Sequence, residues 1–275
     1  MAEEQPIRDF DVRAFPQKGI RTDYVAVEEP IEIHVDGQSL AVLMRTPGAD
    51  KELVAGFLCT EGVIDAVDDL RALEPCADPN KPNASNTLRV HLSAGCERAE
   101  SRLERARRHL FATSSCGLCG KATIEALHQN VTPHESYLSL SHRFVEEVSE
   151  RVLQEQAAFQ RTGGLHAAAL FGPGPSYELL RVSEDIGRHN AVDKVIGWAV
   201  LQDRIPLGGH SLWVSGRASF EVTQKALVAG IGALVTVGAP SSLAVETALA
   251  SQMTLVGFAR GGPQFNVYAG QVHDH

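Results

Sequence analysis

From residue 166 onward, short apolar runs alternate with longer segments of helical periodicity. This alternation predicts strands at 166–171, 177–183, 211–215 and 233–237, a last strand pair near 254–259 and 265–268, and helices at 190–202, 219–230 and 241–252. Strands that alternate with helices of about 12 residues are typical of a layered α/β sheet with right-handed crossovers. We therefore expect residues 143–275 to form an α/β core, which begins with a long amphipathic helix at about 143–160.

The preceding 142 residues have a less regular pattern. It predicts a polar arm, irregular or strand-like, over 1–25, a β-hairpin at 31–44 around Asp36-Gly37, a helix at 50–60, a loop at 75–86, a strand at 88–92 and a basic helix at 102–109. We therefore expect a smaller N-terminal α+β region over 26–142 that includes a mobile loop at 111–121.

The charge of the chain limits its partners. The 275 residues include 25 Lys and Arg against 34 Asp and Glu, a formal net charge of −9. Nucleic acids and anionic membranes bind clustered Lys and Arg, so the acidic balance argues against both as general partners. The sequence has no apolar run near the ~18 residues of a spanning helix, and its start lacks the basic and apolar stretches of a signal peptide. We expect a cytoplasmic protein.

The sharpest local motif is Cys116-Gly-Leu-Cys119. Two thiols at this spacing can share a metal, form a disulfide or pass a sulfur atom between them. A zinc site needs a second ligand pair, whereas Cys59, Cys76 and Cys96 are isolated in the sequence. A thioredoxin-like redox motif has the same spacing, but here a Ser-Ser turn at 114–115 precedes the pair instead of a strand. The odd number of cysteines, five, argues against a disulfide framework.

The residues around the pair favour an exposed, reactive thiol. Gly117 and Gly120 leave little side chain to bury it, which argues against two unrelated core cysteines. Lys121 begins a helix-like segment whose free amides would favour a thiolate, so we expect the pKa of Cys116 to lie below the ~8.5 of a free cysteine. A thiolate on a mobile loop suits a carrier that visits two sites.

Two motifs of the α/β half contain candidate ligand contacts. His166 follows Gly163-Gly164, and both a core histidine and a ligand contact are compatible with that position. The run Glu184–Lys194 places Arg188, His189 and Asn190 between a predicted strand and a predicted helix, where loops often carry binding residues. We favour a binding site there.

Three further loops follow predicted strands. Ser215-Gly-Arg217 and Gly238–Ser242 each lead into a helix, and such loops bind phosphate through free backbone amides. Two of them at neighbouring strand ends mark the usual ligand position of an α/β sheet. In the third loop, Arg260 lies beside Gly261-Gly262, which suits a purine or phosphate contact, although an exposed hairpin loop has a similar composition.

Taken together, the motifs resemble the FdhD-type formate dehydrogenase accessory sulfurtransferases. The resemblance covers about residues 25–270 and rests on Ser114–Gly120, Thr162–Ala168, Glu184–Lys194 and Ser215–Arg217, with Glu52–Leu58 and Glu61-Gly62 in agreement. It implies a cytidine-deaminase-like α/β fold and a homodimer. It also implies that the protein takes persulfide sulfur from a cysteine desulfurase. The sulfur would pass to the bis(molybdopterin guanine dinucleotide) molybdenum cofactor, before that cofactor enters formate dehydrogenase.

The resemblance also implies roles for individual residues. Cys116 corresponds to the persulfide-bearing cysteine and Cys119 to its partner, and no metal of the protein's own is expected. The cofactor-contacting segment corresponds to Phe258, Ala259, Arg260, Gly261, Gly262 and Pro263. To these we add, as predicted contacts with the guanine-nucleotide-containing cofactor, His166, Arg188, His189, Asn190, Ser215 and Arg217.

Two other functions are weighed against sulfur transfer. A zinc nucleobase deaminase needs His-x-Glu followed by Pro-Cys-x-x-Cys. Here Ala167-Ala168 follow His166, and the cysteine pair precedes the histidine and lacks the proline, so deamination is disfavoured. A chaperone that binds the cofactor without sulfur transfer is the second alternative, and the two cysteines favour transfer over it.

Overall fold

The computed structural model of the protein describes residues 6–16, 19–76, 84–94, 101–104, 106–107 and 133–274. The strands are β1 (Ile7–Ala14), β2 (Gly19–Ala26), β3 (Glu29–Val35), β4 (Gln38–Arg45), β5 (Leu70–Pro75), β6 (Thr87–Leu92), β7 (Leu140–Ser141), β8 (His166–Phe171), β9 (Leu179–Asp185), β10 (Ser211–Val214), β11 (Ala233–Thr236), β12 (Thr254–Gly257), β13 (Asn266–Ala269) and β14 (Val272–His273). The helices are α1 (Asp50–Thr60), α2 (His142–Glu155), α3 (Ala157–Thr162), α4 (Arg188–Leu201), α5 (Phe220–Val228) and α6 (Ser242–Ala250). The loop predicted at 111–121 lies outside the described residues.

A six-stranded mixed sheet organises the second half of the chain. Its strand order is β13-β12-β11-β10-β8-β9. Strands β10, β11 and β12 are parallel neighbours, whereas β8 is antiparallel to β10 and β9, and β13 is antiparallel to β12. The α/β class is therefore confirmed, and the sheet is mixed.

Side-chain alternation along these strands produces two packed faces. On β8, Ala168 and Leu170 belong to a core that includes residues of α1, α4, α5 and α6. Ala167, Ala169 and Phe171 point to the opposite face, where they belong to a second core with residues of α2. Successive strand residues point to opposite sides, so a strand that is apolar at nearly every position is covered on both faces.

The first half forms a four-stranded sheet of order β4-β3-β6-β5, and the predicted hairpin is confirmed as β3 and β4. Asp36 and Gly37 have φ of 47° and 82°, the positive values that a tight two-residue hairpin turn requires. The arm was predicted to be irregular or strand-like, and its described part is strand-like: β1 and β2 form a hairpin.

Helices α1 and α4 pack closely enough to join the two halves. Their approach uses Gly56 and Gly197, because a Cβ on either glycine would collide with the backbone of the other helix at Asp193 or Glu52. Since both contacts are with backbone atoms, no rotamer change could relieve them. The core on this face of the six-stranded sheet also includes Ile31, Ile33 and other residues of the four-stranded sheet.

Two predicted elements differ from the structure. The helix predicted at 143–160 is two helices, because Gln156 adopts φ −87° and ψ 65° between them. The Glu184 carboxylate accepts hydrogen bonds from the amides of Ala158 and Phe159 and so caps the second helix. The strand predicted at 177–183 lies two residues later, so Glu184 and Asp185 belong to β9 instead of a loop.

Candidate functional site

Most of the predicted ligand loops meet at one edge of the six-stranded sheet. Strands β10, β11 and β12 end there, and β8 begins there because it runs in the opposite direction. Backbone hydrogen bonds join consecutive loops: the Gly238 amide donates to the Gly216 carbonyl, and the Phe258 amide donates to the Gly238 carbonyl. The carboxyl edge of parallel strands is the position at which open α/β sheets bind ligands.

A cleft of about 540 Å³ opens at this edge, on the α2 side of the sheet. Its lining combines α2, α3, the turn before β8 and residues at the strand ends: Ser149, Glu150, Leu153, Gln156, Phe159, Gly163, Gly164, Leu165, His166, Ile186, Trp213, Ser215, Val237 and Arg260. A mostly apolar wall with a few convergent polar groups is typical of a small-molecule site.

Three of the predicted contact residues line the cleft, namely His166, Ser215 and Arg260. The hydroxyl of Ser215 accepts a hydrogen bond from the Ala167 amide at 2.9 Å and lies 3.3 Å from His166 Nδ1. Burial, followed by the nearby Arg188 guanidinium, lowers the pKa of His166. A lowered pKa keeps its imidazole neutral at pH 7, so it can donate or accept one hydrogen bond toward the cleft.

The segment 258–263 follows β12 at this edge and contributes Arg260 to the cleft. Three of its residues have positive φ angles. Phe258 has φ of 59°, a left-handed conformation that non-glycine residues rarely adopt, and Gly261 and Gly262 have φ of 93° and 80°. Strained residues of this kind cluster at ligand-binding sites. The guanidinium carbon of Arg260 lies 5.4 Å from the centre of the Phe258 ring, and Arg260 Nε donates to the Val237 carbonyl at 3.4 Å.

Arg188 and His189 begin α4 next to this edge. The Arg188 side chain contacts Gly216 closely, since a Cβ there would lie 3.2 Å from Arg188 Cδ, and Arg188 Nε is buried without a hydrogen-bond partner among the described residues. Burial, with Arg188 second, lowers the pKa of His189 to about 4. His189 Nε2 lies 3.4 Å from the Ser219 hydroxyl.

Glu221 places a negative charge near Arg188 and His189. Burial alone would raise the pKa of its carboxyl, but hydrogen bonds from its own amide and from Ser219, together with His189 and Arg188, lower it overall. Glu221 was absent from the predicted site residues. Its position in the first turn of α5 was the sequence signal that could have indicated it.

Of the rest of the Glu184–Lys194 run, Ile186 lines the cleft, whereas Asp185, Asn190 and Lys194 do not. Asn190 Nδ2 donates to the Met44 carbonyl at 2.7 Å and to Asp185 at 2.9 Å. Lys194 Nζ lies 2.7 Å from the Asp185 carboxylate, and both side chains are almost fully buried. The Thr46 amide also donates to Asp185. In the structure these residues therefore tie β9 and α4 to the turn between β4 and α1, and the predicted role of Asn190 in cofactor binding stays a prediction.

The remaining predicted residues are placed as follows. Arg217 is exposed, packs its Cγ beside Gly238 and does not line the cleft. Ala259 is buried, and Pro263 is exposed at the end of its segment. Cys116 and Cys119 lie outside the described residues. In the described ranges, no group of three His, Cys, Asp or Glu side chains could hold a metal ion.

Sequence reasoning missed Ser149 and Trp213, which line the cleft from α2 and β10. Ser149 lies in the middle of an amphipathic helix, and Trp213 lies in an apolar strand, so their local patterns indicate only core packing. Nothing in the sequence near either residue could have shown that they meet.

Taken together, the fold and the site define a mixed α/β protein with a cleft at the carboxyl edge of its parallel strands. The model of the FdhD/NarQ family matches residues 26–273. The chain belongs to this family.

Curated relatives and a solved structure agree with that assignment. The chain is 49% identical over 255 residues to a protein of Mycobacterium tuberculosis named sulfur carrier protein FdhD, with 90% of each chain covered. It is 45% identical over 259 residues to the protein of that name in Streptomyces avermitilis, with 91% of this chain and 89% of the relative covered. The fold resembles a crystal structure from Desulfotalea psychrophila, described as a candidate formate dehydrogenase accessory protein, with a TM-score of 0.71, 23% identity and 96% of each chain covered.

The described helices include none that is long and apolar enough to cross a membrane.

Proposed function

We propose that this protein is a sulfur carrier in the maturation of a formate dehydrogenase. It would act as a sulfurtransferase that accepts sulfur from a cysteine desulfurase on Cys116 and delivers it to the bis(molybdopterin guanine dinucleotide) molybdenum cofactor. Membership of the FdhD/NarQ family and the names of the relatives support the carrier role. The observation that carries the proposal is a ligand cleft with Arg260 beside two glycines, in a chain that also contains Cys116-Gly-Leu-Cys119.

The loading step needs only a thiolate. The Cys116 thiolate attacks the outer sulfur of the desulfurase persulfide, a new S–S bond forms, and the desulfurase cysteine leaves as a thiolate. The oxidation state of the transferred sulfur is unchanged, so no external oxidant or reductant is needed. Release would follow one of two routes. Either the acceptor takes the outer sulfur directly and Cys116 leaves as a thiolate, or the Cys119 thiolate attacks the Cys116 sulfur, a Cys116–Cys119 disulfide forms and the outer sulfur leaves as hydrosulfide. In the second route a thiol reductant would then restore the two cysteines.

The cofactor would bind as a substrate, and the chemistry of the cleft supports a nucleotide diphosphate. The Arg260 guanidinium is exposed at the rim, where its planar set of donors can pair with a phosphate. The positive φ values of Gly261 and Gly262 allow their backbone to approach a phosphate closely. Arg188 packs against Gly216 and supplies a second positive charge to the same edge. Its Nε is buried and has no hydrogen-bond partner among the described residues.

We further propose a cytidine-deaminase-like layering of the six-stranded sheet, a homodimer and a cytoplasmic location. The mixed strand order with helices on both faces supports the first proposal. Superposition of an experimental structure on a cytidine deaminase tests the layering, and light scattering coupled to size-exclusion chromatography tests the dimer.

Intact-mass analysis tests the reaction. After incubation with a cysteine desulfurase and cysteine, the protein should gain the mass of one sulfur atom, and peptide mapping should place it on Cys116. Cys116→Ala should abolish loading and leave the target formate dehydrogenase inactive. Cys76→Ala is the matched control, because Cys76 is a buried free cysteine of the described part of the chain and should be dispensable. Normal loading of Cys116→Ala would overturn the proposal.

Calorimetry with nucleotides separates the proposal from its alternative. GDP should bind more tightly than ADP or CDP, because the cofactor ends in guanine nucleotides. A protein that prefers GDP but never gains sulfur would be a cofactor-binding chaperone. If GDP showed no preference over ADP and CDP, guanine recognition by this cleft would be wrong.

A further inference from the structure

A chain of two hydrogen bonds connects the floor of the cleft to the segment 258–263. The indole Nε1 of Trp213 donates to the Ser149 hydroxyl at 2.9 Å, and that hydroxyl donates to the Ala259 carbonyl at 2.5 Å. Trp213 and Ala259 are almost fully buried, at 3% and 1% exposure, and Ser149 is buried as well. The three groups therefore have little access to water as an alternative partner.

The direction of this chain follows from the chemistry of its groups. An indole N–H can only donate, and a carbonyl oxygen can only accept. Ser149 must therefore accept from Trp213, and its single hydrogen must point to Ala259. A serine within a helix often turns its hydroxyl back to a carbonyl of its own helix. Here the hydroxyl is instead committed to another segment.

The segment that Ser149 holds has a strained conformation. Phe258, directly before Ala259, has a left-handed φ of 59°, and two glycines with positive φ follow Arg260. Such a backbone persists only where its surroundings determine it. The amide of Ala259 donates to the Thr236 carbonyl at 3.0 Å, so Ala259 is fixed to the sheet on one side and to Ser149 on the other.

Helix α2 supplies a second contact to this segment. The Gly262 amide donates to the Glu146 carbonyl at 3.1 Å, one turn before Ser149. Arg260 lies between the two fixed points, and its Nε contacts the Val237 carbonyl. Helix α2 is therefore hydrogen-bonded to the segment at Ala259 and at Gly262, on either side of Arg260.

From these contacts we infer that Ser149 is a positioning residue: it holds the 258–263 segment in its nucleotide-binding conformation. Ser149 would act through the Ala259 carbonyl, and Trp213 orients its hydroxyl. The inference rests on the proposed function, since it takes a guanine nucleotide as the ligand of the segment.

Hydrogen exchange of the ligand-free protein tests the holding role directly. In Ser149→Ala, the peptide that covers 258–263 should exchange at least tenfold faster, whereas peptides of β10 and β11 should keep their protection. Ser149→Thr retains a hydroxyl and should restore most of the protection. Unchanged exchange of the segment in Ser149→Ala would overturn the inference, whatever its nucleotide affinity.

Nucleotide titration tests the consequence for binding. Ser149→Ala should weaken GDP binding roughly tenfold, the usual effect of losing a buried hydrogen bond of ordinary strength. Trp213→Phe removes the donor to Ser149 together with part of the ring, leaves the Ser149–Ala259 hydrogen bond possible, and should weaken binding less. The control is Ser211→Ala, because Ser211 is a buried serine of the same strand as Trp213, and its Oγ has no hydrogen-bond partner among the described residues. Ser211→Ala should leave GDP affinity unchanged, and an equal loss in both alanine variants would contradict the inference.

Tryptophan fluorescence adds a signature that general destabilisation would not produce. With Trp198→Phe as the background, Trp213 is the remaining indole of the chain. Its emission should shift in Ser149→Ala without any ligand, because its N–H loses its acceptor, and Ser149→Thr should reverse the shift. If wild-type protein failed to bind GDP, the nucleotide proposal would fall, while exchange and emission would still decide the role of Ser149.

Discussion

The ionisable residues of α4 fall into two groups: those at its first turn lie beside the cleft, and those further along form buried ion pairs. At its first turn, Arg188 and His189 are half-buried beside the cleft edge, and Arg188 Nε has no hydrogen-bond partner among the described residues. Four to six residues further along the helix, Asp193 and Lys194 are almost fully buried and ion-paired, Asp193 with Lys225 at 2.9 Å and Lys194 with Asp185 at 2.7 Å.

This difference shows how one charged run can serve two purposes. Burying a charge without a partner costs folding free energy. Each buried residue of these pairs therefore needs its partner, and the pairs serve the structure of the protein. A cation with an unsatisfied donor beside a cleft can instead receive an anionic ligand. The presence of a partner, which the sequence does not display, therefore distinguishes the structural half of the run from the half available to a ligand.

The largest expected effect comes from breaking the paired half. Lys194→Met leaves the Asp185 carboxylate buried without its cation, so the free energy of unfolding should fall by about 3–5 kcal/mol. Chemical denaturation measures the loss. Arg143→Ala is the control, because its pair with Glu147 lies on the surface and should contribute nothing measurable. A loss below about 1 kcal/mol in Lys194→Met would mean that solvent or the other donors to Asp185 replace the lysine.

The next effect tests the ligand-facing edge. Arg260→Ala removes the proposed charge-assisted contact to a nucleotide, so we expect a loss of ~1.5–3 kcal/mol, or roughly a tenfold to hundredfold loss of GDP affinity. Sulfur loading of Cys116 should be unchanged, because the cysteine pair and the cleft belong to different segments. Arg204→Ala is the matched control: Arg204 also stacks on an aromatic ring, that of Trp198, but lies outside the cleft.

Measuring both properties on the same purified Arg260→Ala protein decides whether they are separate. If sulfur loading fell along with nucleotide binding, the two functions would share a site. If affinity were unchanged, Arg260 would be an ordinary surface arginine.

The smallest effect concerns His189, whose pKa of about 4 in the folded protein lies below the ~6.5 of an unfolded histidine. The unfolded chain therefore binds the proton first as the pH falls, and stability is lost between about pH 6.5 and pH 4. After allowance for partial solvent exposure, we expect a loss of about 1–2 kcal/mol from this group.

Denaturation of His189→Gln at pH 7 and pH 4.5 measures that contribution. The difference in stability between the two pH values should be smaller than in the wild type by about 1–2 kcal/mol. His210→Gln serves as the control, because His210 precedes β10 at the opposite edge of the same sheet. An unchanged pH dependence in His189→Gln would show that His189 is not buried as a neutral group.

Much of the fold follows from local patterns. The hairpin at Asp36-Gly37 was predicted because its turn needs two positive φ values, and α1 because one face of 50–60 is apolar. The strands and helices after residue 166 were predicted within about two residues at most boundaries, since strand and helix periods differ. The convergence of the loops after β10 and β11 was also predicted, because parallel neighbours end at the same edge.

The break at Gln156 was not predictable from the amphipathic pattern, which continues across it. It depends on the Glu184 carboxylate, 25 or more residues away, which caps the amides of Ala158 and Phe159. Likewise, the roles of Asn190 and Lys194 depend on Met44 and Thr46, which approach them only when α1 packs on α4.

By itself, the sequence determined the class of the fold, the order of its main elements and the set of loops that surround the cleft, because periodicity and turn chemistry act over a few residues. Only the tertiary structure decided which polar groups from distant parts of the chain meet. It paired Asp185 with Lys194, left Arg188 Nε without a partner among the described residues, and brought Ser149 to Ala259 from 110 residues away in the chain. The physical reason is that a hydrogen bond or an ion pair depends on the distance between atoms in space, which packing sets and local sequence does not.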